Sequence, residues 1–107
     1  MNSTDDFVSA IDEKDLSDGK MKLKSIEGIP ILFLKQSGQV YAIDNRCPHQ
    51  GCGLSGGTLE GAVIICPCHD WRFSLKTGEY EEEPSMKLIK FDYKIEAGKI
   101  YVKLPDE

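Results

Sequence analysis

The sequence predicts an all-β fold, a sandwich or barrel into which a small metal-binding segment is inserted. Short runs rich in β-branched and aromatic residues recur along the chain, and turn residues interrupt them about every eight to twelve positions. Helical periodicity is weak throughout, and only residues 11–16 favour a single helical turn. At 107 residues the chain can bury the core of one domain but not of two.

Turn residues separate the predicted strands in chain order. Gly28 marks the first turn, and the pairs Ser37-Gly38 and Ala97-Gly98 each predict a hairpin. The first predicted strand alternates apolar and polar residues, whereas the second is continuously apolar apart from Pro30. The predicted strands cover residues 21–26, 29–34, 40–43, 62–65, 88–95 and 99–104.

Residues 45–80 differ in composition from the segments on either side. They contain all four cysteines, both histidines and six of the ten glycines. Glycine tolerates positive φ and allows backbone segments to approach closely, as loops around a metal centre require. We therefore expect residues 1–107 to form one domain, with a β base built from both ends of the chain and a metal-binding subdomain at 45–80.

Cysteine and histidine occur together in two short boxes, Cys47-Pro48-His49 and Cys66-Pro67-Cys68-His69. Four cysteines in a small chain could instead form the disulfide framework of a secreted protein. However, the first residues have no basic region followed by an apolar run, as a secretory signal would. The spacing of thiols and imidazoles therefore favours a metal site.

Two metals are compatible with two thiolates and two imidazoles. Zinc fingers usually pair Cys-x₂₋₄-Cys with His-x₃₋₅-His, whereas each box here supplies one cysteine and one histidine ligand. The mixed boxes favour iron at a sulfide-bridged centre. A zinc-stabilised interaction module is retained as an alternative.

The chain resembles the Rieske iron–sulfur family over nearly its whole length. The resemblance rests on Tyr41-Ala-Ile-Asp-Asn-Arg-Cys-Pro-His, Leu54-Ser-Gly-Gly-Thr-Leu59, Cys66-Pro-Cys-His-Asp-Trp-Arg-Phe73, Thr77-Gly78 and Pro84. It implies an antiparallel β base and one [2Fe–2S] cluster per chain. By this resemblance Cys47 and Cys66 hold one iron, and His49 and His69 hold the other.

The resemblance also implies a disulfide between Cys52 and Cys68. These residues occupy the positions where Rieske proteins of cytochrome bc complexes join the two cluster loops, although many soluble Rieske ferredoxins lack the pair. Two buried thiols are the alternative, since free cysteine packs as a small apolar residue.

Trp71 and Phe73 distinguish this sequence from the respiratory branch of the same family. The respiratory proteins carry serine and tyrosine at these positions, and the hydroxyls donate hydrogen bonds to cluster sulfurs that raise the potential. Neither Trp71 nor Phe73 has a hydroxyl, although both side chains are also suited to core packing. The resemblance therefore predicts a low-potential centre.

Composition limits the functions that the chain could have. Its net charge of −5 argues against nucleic acid or an anionic membrane as a partner. The acidic run Glu81 to Glu83 could dock on a basic partner or form a solvated face. Without an apolar run long enough to cross a bilayer, a soluble cytoplasmic protein is expected.

The resemblance implies an electron carrier rather than an enzyme. A Rieske oxygenase needs a second, mononuclear iron, yet both histidines of this chain belong to the boxes. The preferred function is electron transfer from a reductase to a terminal oxidoreductase such as an oxygenase. The alternative within related families is the non-catalytic small subunit of an assimilatory nitrite reductase.

Overall fold

The protein is built from antiparallel β-sheets, which confirms the predicted fold class. The computed structural model describes residues 7–47, 52–68 and 70–104. The strands in these ranges are β1 (Phe7–Asp12), β2 (Met21–Ile26), β3 (Ile29–Gln36), β4 (Gln39–Asp44), β5 (Thr58–Glu60), β6 (Val63–Ile65), β7 (Arg72–Ser74), β8 (Glu79–Tyr80), β9 (Glu83–Lys87), β10 (Tyr93–Glu96) and β11 (Lys99–Lys103).

The strands form three sheets, in which every neighbouring pair is antiparallel. Their orders are β1-β11-β10, β2-β3-β4 and β5-β6-β7-β8-β9. In the first sheet β1 pairs with β11, so Phe7 lies opposite Lys103 and strands from the two ends of the chain are neighbours. The third sheet is made of consecutive strands from the part of the chain that carries the second box.

The sheet β2-β3-β4 has a buried core on each side of β3 and β4. Successive side chains along a strand point to opposite faces. Leu32 and Leu34 of β3 therefore enter one core, while Ile31 and Phe33 enter the other. Burial on both faces explains why residues 29–34 are continuously apolar instead of alternating.

The two cores contain different parts of the chain. The first, called the cysteine core, comprises Leu32, Leu34, Tyr41, Ile43, Cys47, Leu54, Ile64, Cys66, Phe73, Leu75 and Leu88. The second, called the terminal core, comprises Ile11, Leu16, Ile26, Ile31, Phe33, Val40, Ala42, Phe91, Ile100 and Val102. The candidate metal ligands Cys47 and Cys66 thus lie on the side of β3 and β4 that faces away from the paired terminal strands.

Each predicted hairpin turn is present and contains two residues with positive φ. This backbone twist suits a two-residue connection, and glycine adopts it without steric cost. The turn residues are Glu27 (φ 51°) and Gly28 (φ 83°), Ser37 (φ 54°) and Gly38 (φ 80°), and Ala97 (φ 53°) and Gly98 (φ 79°).

The prediction of one continuous strand over residues 88–95 is wrong. Strand β9 ends at Lys87, β10 begins at Tyr93, and the residues between them cross from one core to the other. Leu88 is buried in the cysteine core and Phe91 in the terminal core. An apolar run can therefore mark a crossing between cores as well as a strand.

Helical structure is confined to short turns in the described ranges. The turn expected at residues 11–16 is a 3-10 turn, Glu13–Asp15, which lies between the buried residues Ile11 and Leu16. A second 3-10 turn, Leu54–Gly56, follows the first box. Within the described ranges, no helix is long and apolar enough to cross a membrane.

Candidate metal centre

Cys47 and Cys66 are buried neighbours in the cysteine core. Cys47 comes shortly after β4, and Cys66 directly follows β6. Their exposed fractions are 2% and 0%, and neither belongs to a disulfide. Burial raises the pKa of the Cys66 thiol; the backbone N–H of Cys68 opposes this, and a hydrogen bond with the Cys47 side chain adds to the increase. The structure thus brings together one cysteine from each box.

The two predicted histidine ligands, His49 and His69, lie outside the described residues. Their assignment therefore remains a prediction that follows from the boxes. The described residues on either side, Cys47 and Cys52 around the first histidine and Cys68 and Asp70 around the second, show where each loop leaves and rejoins the fold.

Asn45 holds the segment before Cys47 against the 3-10 turn that follows the first box. Its backbone carbonyl accepts a 2.7 Å hydrogen bond from the Leu54 N–H, and its side-chain oxygen accepts one of 2.8 Å from the Ser55 N–H. The Cys47 N–H donates to the Cys52 carbonyl at 2.9 Å. These bonds close the first box into a loop with a defined base.

A buried carboxylate fixes the residue directly before Cys47. Asp44 accepts three hydrogen bonds from Arg46: from the backbone N–H at 2.8 Å, from Nε at 2.9 Å and from Nη2 at 2.7 Å. Burial raises the pKa of the Asp44 carboxyl, but these bonds outweigh it and hold the pKa below its usual value. Sequence reasoning missed this pair, whose only signal is an acid two positions before a base.

The second box forms the connection between β6 and β7. Ile65 pairs with Arg72, and beyond that pair the Cys66 N–H donates a 2.8 Å hydrogen bond to the Trp71 carbonyl. Asp70 adopts a positive φ of 55°, which helps the chain to turn back. The position of Cys66 is therefore set by the register of a hairpin.

Gly57 is a point of close backbone approach beside this hairpin. A Cβ atom at Gly57 would overlap the carbonyl oxygen of Ile65 and lie 3.1 Å from the carbonyl oxygen of Leu54. Both atoms belong to the backbone and cannot rotate away. Only glycine allows the 3-10 turn after the first box to lie directly against β6, which ends at Ile65, the residue before Cys66.

A disulfide joins Cys52 to Cys68, the pairing that the resemblance implied. Their Cα atoms are 6.4 Å apart, and sixteen positions separate them in the sequence. Cys52 belongs to the segment that begins with the first box, and Cys68 belongs to the segment that contains the second box. The bond therefore links these two box segments covalently. The alternative of two free thiols at these positions does not describe this structure.

Aromatic side chains pack around the second box. The rings of Trp71 and Tyr80 are stacked, with centroids 4.1 Å apart and planes 2° from parallel. Phe73 lies 5.5 Å from Tyr80 between ring centroids and is fully buried in the cysteine core. Phe73 therefore meets both expectations: its ring packs in the core, and it brings no hydroxyl to the core.

The acidic run Glu81 to Glu83 lies beside this aromatic pair and is exposed. Glu81 is 3.4 Å from Arg72 in an ion pair, and Arg72 also contacts Glu60 at 3.1 Å. Desolvation raises the pKa of Tyr80, and the charge of Glu82 and a hydrogen bond with its side chain raise it further. The Tyr80 hydroxyl is therefore directed toward the acidic run.

The donor chemistry of the described residues fits an iron–sulfur cluster. Two soft ligands lie side by side and are free of disulfide bonds. In a buried position an uncompensated thiolate is costly, and a bound cation removes that cost by neutralising the charge. Such a pair is compatible with a metal centre held by cysteine thiolates.

Comparison with known proteins identifies the family. Residues 6–92 match the model of the Rieske [2Fe–2S] domain, and the chain belongs to this family. It is 35% identical over 96 residues to the ferredoxin component of the alkene monooxygenase system of Xanthobacter autotrophicus, a match that covers 89% of this chain and 77% of the relative. It is 31% identical over 102 residues to the naphthalene 1,2-dioxygenase ferredoxin component of Pseudomonas aeruginosa, covering 94% of this chain and 98% of the relative.

Other relatives contain a similar sequence within a longer chain. Human apoptosis-inducing factor 3 is 36% identical over 91 residues, which cover 84% of this chain but only 15% of that protein. Among solved structures, a chain of the complex of reduced oxygenase and oxidised ferredoxin in carbazole 1,9a-dioxygenase superposes with a TM-score of 0.80 at 28% identity. That match covers 91% of this chain and 92% of the other.

Substitution of Gly57 by alanine should displace the segment that ends at Cys66. We expect Gly57→Ala to lower the free energy of unfolding by about 1–3 kcal/mol, since the added methyl group meets fixed backbone atoms. Gly56→Ala is the matched control, because its Cβ would meet only Pro67 at 3.8 Å, and it should change stability by less than about 1 kcal/mol. Urea unfolding measures both variants; equal losses would contradict the assigned role of Gly57.

The Asp44–Arg46 pair should make stability depend on pH in the acid range. Since the folded-state pKa of Asp44 lies below its usual value, its contribution is present above about pH 4 and is lost as the pH falls through the folded pKa. We expect Asp44→Asn to cost about 1–3 kcal/mol near neutral pH, with the difference from wild type shrinking in acid.

Urea unfolding at a series of pH values tests this expectation. Asp12→Asn is the control, because Asp12 pairs with Lys99 on the surface and should have a smaller effect. A cost of Asp44→Asn that stays constant from neutral to acid pH would rule out the carboxylate as its source.

Proposed function

We propose that this chain is a Rieske-type ferredoxin that carries single electrons between proteins. It accepts an electron from a reductase and passes it to a terminal oxidoreductase such as an oxygenase. The observation that carries this proposal is the similarity along most of both chains to ferredoxin components of two oxygenase systems. The carbazole dioxygenase complex offers a precedent for such a ferredoxin bound to its oxygenase.

We assign one [2Fe–2S] cluster to Cys47, His49, Cys66 and His69. Burial, contact with each other and the absence of a disulfide support the two cysteines. Box spacing and family membership support the two histidines. When bound, the cluster supplies reversible one-electron exchange, while the protein holds the ligands, excludes water from the sulfur side and sets the local charge.

We further propose that residues 1–107 act as one Rieske domain with a cluster-binding subdomain at about 45–80. The Cys52–Cys68 bond and the close approach at Gly57 support this subdomain, because both connect the two box segments, and the contacts of Asn45 close the first of these segments. We place the protein in the cytoplasm, in the company of a reductase and a terminal oxidoreductase rather than nucleic acid or a membrane.

The chain is an electron-transfer component and not a catalyst on its own. Both histidines of the sequence are assigned to the cluster, which leaves none for a mononuclear iron. The two bacterial relatives described above are ferredoxin components and give no support to the nitrite reductase alternative. Family membership also favours the iron–sulfur centre over a zinc-stabilised module.

The absence of a hydroxyl at Phe73 supports a low-potential centre. Phe73 is fully buried in the same core as Cys47 and Cys66, so its ring contributes packing without a hydrogen-bond donor. The nearby Tyr80 hydroxyl is engaged by Glu82. We therefore place the midpoint in the lower half of the Rieske range of roughly −150 to +300 mV.

The ligand assignment is tested by redox-titrated EPR of the purified protein and its variants. The dithionite-reduced wild type should give a [2Fe–2S] signal, and Cys66→Ala and His69→Ala should each lose both the signal and the bound iron, because a ligand is removed. The double variant Cys52→Ser/Cys68→Ser is the control and should retain them. An unchanged signal in His69→Ala would contradict the assignment.

The potential is tested by adding a hydroxyl at Phe73. One new hydrogen bond is worth about 0.5–1.5 kcal/mol, so Phe73→Tyr should raise the midpoint by roughly 20–65 mV for a one-electron couple. Tyr80→Phe is the matched control and should leave the midpoint unchanged. A wild-type midpoint clearly above zero would overturn the low-potential proposal, as would a midpoint unmoved in Phe73→Tyr that holds its fold and cluster.

A further inference from the structure

Three cysteine sulfur atoms lie close together where the two box segments meet. The Sγ atoms of Cys52, Cys66 and Cys68 all lie within 4.8 Å of one another. Cys52 and Cys68 share the disulfide, whereas Cys66 is a free thiol. Cys47, the other free cysteine, contacts Cys66 but does not belong to this group of three. Of the three sulfurs, the iron–sulfur function proposed above uses only that of Cys66.

The spacing of these sulfurs is close to that of a thiolate metal site. With a Zn–S bond of about 2.3 Å, the sulfurs of a tetrahedral site are about 3.8 Å apart. The Sγ atom of Cys66 lies at most 4.8 Å from each of the other two and therefore needs to approach them by only about 1 Å or less. The Sγ atoms of Cys52 and Cys68, which share the disulfide, need to separate. Soft thiolates select zinc, cadmium and copper(I).

We propose that reduction of the Cys52–Cys68 disulfide in the cluster-free chain creates a thiolate site for a zinc-class ion. Cys52, Cys66 and Cys68 supply three ligands, and a water molecule completes the tetrahedral coordination. The reductant is a dithiol, which donates two electrons and two protons to the disulfide and becomes a cyclic disulfide itself. The metal ion then replaces the thiol protons, which pass to solvent.

This site and the proposed cluster exclude each other, because Cys66 belongs to both. The disulfide withholds two of the three thiols from the competing ion. Its role is then to protect the ligand set during the time when the chain has no cluster. The inference goes beyond the electron-carrier function, and a test on the cluster-free chain can fail without affecting that function.

Pulsed alkylation of the full-length, metal-free, reduced chain tests the proposal. Zinc should slow the labelling of Cys52, Cys66 and Cys68 at least about tenfold, since a bound thiolate is no longer free to react. If zinc instead binds Cys47, His49, Cys66 and His69, Cys52 and Cys68 will be labelled as fast as without zinc. That result would overturn the proposal.

Metal titration of variants provides an independent measurement. The reduced double variant His49→Ala/His69→Ala should bind zinc at least about tenfold more tightly than its oxidised form, which keeps only Cys47 and Cys66 as free thiols. Adding Cys52→Ser should remove this difference. With cobalt(II) as the probe, the thiolate absorption band should match three thiolate ligands; a band for two, or no difference between reduced and oxidised forms, would overturn the proposal.

Discussion

Strands β3 and β4 are buried on both faces, so their side chains alternate between two cores and nearly all must be apolar. Leu32 and Leu34 commit one face of β3 to the cysteine core, and Ile31 and Phe33 commit the other to the terminal core. A shift of one residue in register would exchange these sets. Since Cys47 lies three residues after the end of β4, the register of this sheet decides which side of the protein receives the first candidate ligand.

The position of Cys66 beside Cys47 depends on other parts of the fold. Its segment depends on the β6–β7 hairpin and on the absence of a side chain at Gly57. The Cys52–Cys68 bond then joins the two box segments covalently, while the hydrogen bonds of Asn45 close the first of them. Hydrogen bonds thus position the backbone around the candidate ligands, while apolar packing keeps water from the sulfur atoms of Cys47 and Cys66.

Much of this arrangement follows from residues that act locally. The glycine turns and the strands between them were predictable, because X-Gly pairs and apolar runs encode their own geometry. The two boxes and the family resemblance identified the cysteines and the disulfide partners. Non-local contacts were not predictable: the close approach of Gly57 to Ile65 and the crossing at residues 88–92 depend on which segments meet after folding. The Asp44–Arg46 pair is local, but the burial of Asp44 depends on the folded structure around it.

The pairing of β1 with β11 brings the first and last strands of the described structure side by side. Phe7 lies opposite Lys103 in one sheet, so the chain enters and leaves the fold at neighbouring points. That sheet contributes Ile100 and Val102 to the terminal core, whereas both candidate cysteine ligands lie in the other core. Polypeptide attached at either point need not disturb the metal centre, and the fold can serve equally as a free-standing carrier or as one module of a multidomain oxidoreductase.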